Sequence, residues 1–254
     1  MFDVINIGSA VALGLGATFL LGGIAKGALG FGMPLITISI LPMIVPIDMA
    51  LALNAVILPF TNFTQFVQSG PMMETIRRFW PLTTGMIIGI AGGALFITVV
   101  DPRILSLILG LFVMTFVAVM VLKPQFHVPA RAERSTGWGV GLASGVVGSL
   151  TTANGPLLVM YLVGLNVPRQ LFLSALSLMF IVLGAMLSAS YFMIGVLDFT
   201  RVLIAVACLV PALTGMAIGN WLVGKLPADK FKLLVLIVLF ILGANMVWRA
   251  LGAD

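Results

Sequence analysis

MPLITISILPMIVP at residues 33–46 and GPLLVMYLVGLNVP at residues 155–168 decide how this chain is built. Each follows a run that an apolar helix should not sustain: GGIAKGALGFGMP (22–34) before the first and GSLTTANGP (148–156) before the second. Gly, Asn and Pro interrupt helices. Pro34 and Pro156 are 122 residues apart, and so are Pro46 and Pro168. Further along, PLTTGMIIG (81–89) matches PALTGMAIG (211–219) at a separation of 130. Pro102 and Pro227 then open the last apolar run on each side. The chain therefore divides into two similar halves, 1–122 and 137–254, joined by the polar connection KPQFHVPARAERST (123–136) within one integral membrane domain.

Composition sets the solvent. Of the 254 residues, 61% are apolar and 8% charged, against about 45–50% and about 25% in soluble domains. The mean hydropathy is +1.23. So few charges cannot cover a soluble surface, and the expected class is an all-α polytopic membrane protein. A cytosolic enzyme, a nucleic-acid binder and a disordered chain are excluded by the apolar content, and a disulfide scaffold by the single cysteine, Cys208. The net charge of +5 is assigned to cytoplasmic loops, because Lys/Arg bias sets membrane orientation. The first basic residue, Lys26, follows Asp3 and a long apolar run, so no cleaved signal peptide is expected.

A spanning helix needs about 20 apolar residues. Full spans are expected at 49–69, 79–100, 104–122, 171–194, 202–224 and 231–250, and the total is eight to ten according to how the two interrupted segments cross. If each interrupted segment enters and returns as a hairpin, the halves are inverted. One side then receives Arg77, Arg78, Lys123, Arg131, Arg134, Arg169, Lys225, Lys230 and Lys232, the other Arg103, Arg201 and Arg249. If each crosses once, the split is seven against five. The uneven split favours inverted repeats, each a re-entrant helical hairpin plus three transmembrane helices, with both termini outside and 123–136 in the cytoplasm.

Inverted repeats with interrupted helices characterise secondary transporters, which bind substrate near the midplane between the repeats. Backbone groups freed at such a break cannot face lipid. The helix that resumes after it offers unpaired N–H groups and a positive dipole end, which favour an anion. Asn154 is a candidate N-cap and Pro156 suits the first turn, with Ser149, Thr151 and Thr152 adding hydroxyls. In the first half, Gly30 and Gly32 let backbone approach a ligand and Pro34 starts the helix. Lys26 is the one charge between apolar runs; its counterpart is Gly148. It either contacts the anion or snorkels to the surface. Asn54, Thr61 and Gln65 fall at i, i+7 and i+11, on one helical face. They either line the substrate path or make interhelical hydrogen bonds. Ser174, Ser177 and Ser188 form a weaker stripe. Gly85, Gly89, Gly92, Gly93, Gly215 and Gly219 read as packing positions, Cys208 as a small buried hydrophobe, and His127 as a solvated loop residue.

The segments GGIAKGALGFGMPLITISILP, GVVGSLTTANGPLLVMYL, PLTTGMIIGIAGG and PALTGMAIGNWL, in this two-half layout, resemble the TauE/SafE family of sulfite and organosulfonate transporters, also called the toluene-sulfonate uptake permease family. The resemblance covers essentially the whole chain. It implies a multi-pass transporter in the plasma membrane, the inner membrane of a bacterium, for anions such as sulfite, sulfoacetate, thiosulfate or a sulfonate. It also implies substrate contacts in two motif regions: Lys26 to Pro34, with Gly30, Gly32 and Met33, and Ser149 to Pro156, with Thr151, Thr152, Asn154 and Gly155.

Two other classes compete. An intramembrane enzyme would need titratable groups at depth, yet the sole His lies in a loop and no Asp or Glu lies inside a span, so no catalytic residue, metal site or cofactor is assigned. A scaffold would not need two matched polar breaks. An anion channel, or a transporter of a non-sulfur carboxylate, uses the same features and stays open. The expected partners are a small anionic substrate and membrane lipid, without nucleic acid. A coupling ion, proton or sodium, and a homo-oligomer both stay open.

Overall fold

A computed structural model describes residues 8–93, 102–122, 128–151, 155–223 and 227–252. Most of these residues are helical, with no strand among them. The helices are α1 (Ser9–Leu29), α2 (Met33–Ile40), α3 (Ile47–Ser69), α4 (Met72–Gly93), α5 (Pro102–Leu122), α6 (Glu133–Thr151), α7 (Gly155–Gly164), α8 (Arg169–Met193), α9 (Phe199–Val223) and α10 (Ala228–Ala250). Among the described residues, four helices have the length and apolarity to cross a membrane: Ser9–Leu29, Asp48–Ser69, Arg169–Met193 and Phe199–Val223. Gly155–Gly164 and Leu236–Trp248 are shorter apolar segments.

Two compact units form, and each draws on both halves of the sequence. The first contains residues 1–68 and 177–225: α1, α2, α3, most of α8, and α9. Its core gathers Leu15, Phe19, Met33, Leu53, Ile57 and Ala212. Here α1 packs along α9. A side chain at Gly23 or Gly27 would strike the backbone of Ala212 or Met216, and one at Gly215 or Gly219 the carbonyls of Leu20 or Ile24. The missing Cβ atoms on both helices let the two backbones touch, which in a membrane takes the place of a hydrophobic driving force.

The second unit contains residues 69–176 and 226–254. Its α4–α6 seam repeats the device: Gly85 and Gly89 sit on the backbone of Trp138 and Leu142, and Gly141 and Gly145 on that of Leu82 and Met86. The repeated segments PLTTGMIIG and PALTGMAIG are thus the two seams. Gly93 also packs, against Val146 and Ser149, but Gly92 meets nothing within 4 Å and is not a packing position. In this unit α5 packs on α10. Arg78 holds Glu133 at the start of α6 through two hydrogen bonds of 2.6 and 3.0 Å, and Tyr161 of α7 donates to the Glu133 carbonyl at 2.8 Å.

Proline shapes three helices. Pro81 lies two residues after Phe79, whose φ of −101° and ψ of 15° mark a kink in α4. Pro59 of α3 removes the N–H that would bond the Ala55 carbonyl. In the first unit Ser188 of α8 supplies the missing donor at 2.7 Å, and Gly184, one turn earlier, leaves room for the proline ring. Pro211 lies within α9.

Candidate functional site

The interruption in the first half is narrower than its sequence suggests. GGIAKGAL is helical and completes α1, and only Gly30–Gly32 separates it from α2. Gly30 adopts φ 86° and returns its N–H to the Lys26 carbonyl at 2.6 Å; Gly32 adopts φ 101°. Both need the left-handed region that glycine enters freely, which is a common way for a helix to end. Pro34 then falls in the first turn of α2, where its missing N–H is no loss.

Lys26 is therefore in the last turn of α1, not in the break. It does not snorkel: the residue is 1% exposed. Its Nζ donates to Asn62 Oδ1 at 2.6 Å and to Gln65 Oε1 at 3.0 Å, both on α3. The Phe180 ring of α8 lies 5.9 Å away. Ser177, also on α8, donates to the same Gln65 oxygen at 3.0 Å. Asn62 is itself oriented: its Nδ2 donates to the Leu58 carbonyl at 2.7 Å, which turns Oδ1 toward the lysine. Lys26 makes no ion pair among the described residues. A buried lysine ordinarily has a carboxylate partner; here its described partners are two neutral amide oxygens and an aromatic ring.

The other expected residues are spread around this cluster. Met33 is buried in the first unit's core. Asn54 is buried, accepts from Thr37 of α2 at 2.5 Å and donates to the Ala50 carbonyl at 2.9 Å. It ties the short helix to α3. Thr61 is buried but bonds its own helix, at the Ile57 and Leu58 carbonyls. The stripe of Asn54, Thr61 and Gln65 thus divides into a tie to α2, a local bond and a lysine ligand. Ser174 pairs with Thr75 at 2.7 Å in the second unit. Asn62 is the residue that the sequence reading missed. It stands three positions before Gln65, so the pair meets one partner from one face of α3.

In the second half, α6 runs on through Gly148 and Ser149 to Thr151, and α7 begins at Gly155. Ser149 bonds the Val146 carbonyl of its own helix at 2.8 Å. Gly155 and Pro156 are buried in the first turn of α7. Thr152 and Asn154, His127, and the side chain of Thr151 lie outside the described residues. Cys208 is buried in the first unit, as a small hydrophobe.

No curated protein and no solved structure matches this chain. The family described as "Sulfite exporter TauE/SafE" matches residues 15–246, from the second turn of α1 to near the end of α10. That span takes in both glycine seams, the interrupted segment that follows Lys26 and its second-half counterpart, and the chain belongs to the TauE/SafE family of sulfite exporters.

Proposed function

We propose that this multi-pass membrane protein is a secondary transporter that exports small sulfur-containing anions, such as sulfite, sulfoacetate or another organosulfonate, across the plasma membrane. The single observation that carries this reading, beyond family membership, is Lys26: a buried ammonium on neutral acceptors is a site that an anion completes.

In this reading the anion is recognised at mid-membrane by the two motif regions. Lys26, Gly30, Gly32, Met33 and Pro34 serve in the first half, with Asn54 supporting α2. Ser149, Thr151, Thr152, Asn154, Gly155 and Pro156 serve in the second. Backbone N–H groups at the starts of α2 and α7 supply uncharged donors. Neutral donors with one cation hold an oxyanion firmly enough for selection and weakly enough for release. The halves 1–122 and 137–254 act as inverted repeats. The shared seam chemistry supports that pseudo-symmetry, since each seam joins one helix from each half.

A thermal-shift screen of the purified protein against sulfite, thiosulfate, sulfoacetate and isethionate tests the reading. A ligand that binds the folded state alone raises stability by RT ln(1 + [L]/Kd). At least one of these anions should raise the midpoint in a saturable way, with acetate and lactate as carboxylate controls. A response to the carboxylates alone would reassign the substrate class.

A further inference from the structure

The chemistry around Lys26 also bears on which anions the protein accepts, an argument that rests on the transporter reading. An ammonium group has three donors and no acceptor. Two of them go to the Asn62 and Gln65 amide oxygens. Both oxygens are held in place by contacts of their own, through the Leu58 carbonyl and the Ser177 hydroxyl. Residues of α1, α3 and α8 within the first unit surround the group and contribute dipoles and an aromatic face, and among the described residues no carboxylate is bonded to the lysine.

A carboxylate at either amide position would hold the lysine permanently. An amide oxygen carries only a partial charge, so a full anion displaces it, and the amides hold the ammonium in position between turnovers. The cluster offers one positive charge and no negative one. A monoanion leaves it neutral. A zwitterion brings a second ammonium into the same poorly solvated space, where like charges repel.

We propose that Lys26, Asn62, Gln65 and Ser177 form a counter-charge site for one anionic sulfur-oxygen group, so that the protein accepts sulfur oxyanions that carry no cationic group and rejects their zwitterionic amino analogues. Lys26 touches the anion; Asn62, Gln65 and Ser177 are positioning residues that act through it.

Isethionate and taurine make the sharpest pair, being the same size with a hydroxyl in one and an ammonium in the other. Binding to the full-length detergent-purified protein, measured by calorimetry, is expected for isethionate and not for taurine. Asn62→Asp and Gln65→Glu each place a carboxylate beside Lys26. They should weaken isethionate binding roughly tenfold or more, the scale of losing a charge-assisted contact, without lowering the thermal midpoint. A merely structural role for Asn62 would instead lower the midpoint and leave affinity intact. Lys26→Met is a third arm should either acidic variant misfold, and it should abolish binding. Nitrate separates the two levels of the argument. If nitrate binds and Asn62→Asp loses it while no sulfur oxyanion binds, the counter-charge site stands and the sulfur-anion reading falls. The proposal is overturned if taurine binds as tightly as isethionate, if a folded acidic variant or Lys26→Met binds isethionate like the unmodified protein, or if neither isethionate nor nitrate binds.

Discussion

At the residue scale, single polar groups offset what proline and burial remove. Ser188 satisfies the Ala55 carbonyl left open by Pro59. Ser188→Ala should therefore lower stability by about 1–3 kcal/mol, the range for orphaning a buried acceptor. Adding Pro59→Ala should recover part of that loss, because the alanine N–H closes the helix again. A double-mutant cycle on thermal midpoints checks it, and additive effects would show that Ser188 does not act on this carbonyl. Lys26 was legible in the sequence because a lone charge between apolar runs has few explanations. Asn62 was not. Periodicity picked Thr61, and Thr61 turned its hydroxyl back on its own helix, as Ser and Thr do in apolar surroundings. Asn62 stands one turn before Gln65 on α3, but a stripe drawn from Asn54 through Thr61 does not pass through it.

At the element scale, the glycines have two distinct duties. Gly23 and Gly27 lie inside α1 and let α9 approach, whereas Gly30 and Gly32 end the helix and turn the chain into α2. The sequence does not separate these duties by composition, which is why GGIAKGAL read as part of the break. Only the left-handed backbone at Gly30 and Gly32, followed by Pro34, distinguishes it. The same distinction orders a mutational series. Gly27→Ala or Gly219→Ala forces a methyl into the opposing backbone and should cost about 1–3 kcal/mol. Gly92→Ala meets open space and should be neutral or gain up to about 1 kcal/mol from helix propensity. Equal losses at all three positions, measured by thermal unfolding in one detergent, would contradict the seam assignment.

At the scale of the whole molecule, the sequence repeat and the packing partition do not coincide. The repeat is a reading of the sequence, drawn from four prolines and the paired glycine segments. The exchange of partners was not legible there, because nothing local says that α4 of the first half packs on α6 of the second, or α9 on α1. The inverted arrangement predicts that Ser135→Cys, on a Cys208→Ser background, reacts with impermeant thiol reagents from the cytoplasmic side only; labelling from outside would refute it. The central claim is that this TauE/SafE protein moves sulfur oxyanions by way of a buried lysine, and counterflow in proteoliposomes tests it most directly. Vesicles loaded with unlabelled sulfite and diluted into trace radiolabelled sulfite should accumulate label transiently and saturably with the unmodified protein. Vesicles carrying folded Lys26→Met should accumulate at least about tenfold less, the scale of losing one charge-assisted contact. Equal accumulation by the two proteins, or none by the unmodified one, would contradict the account.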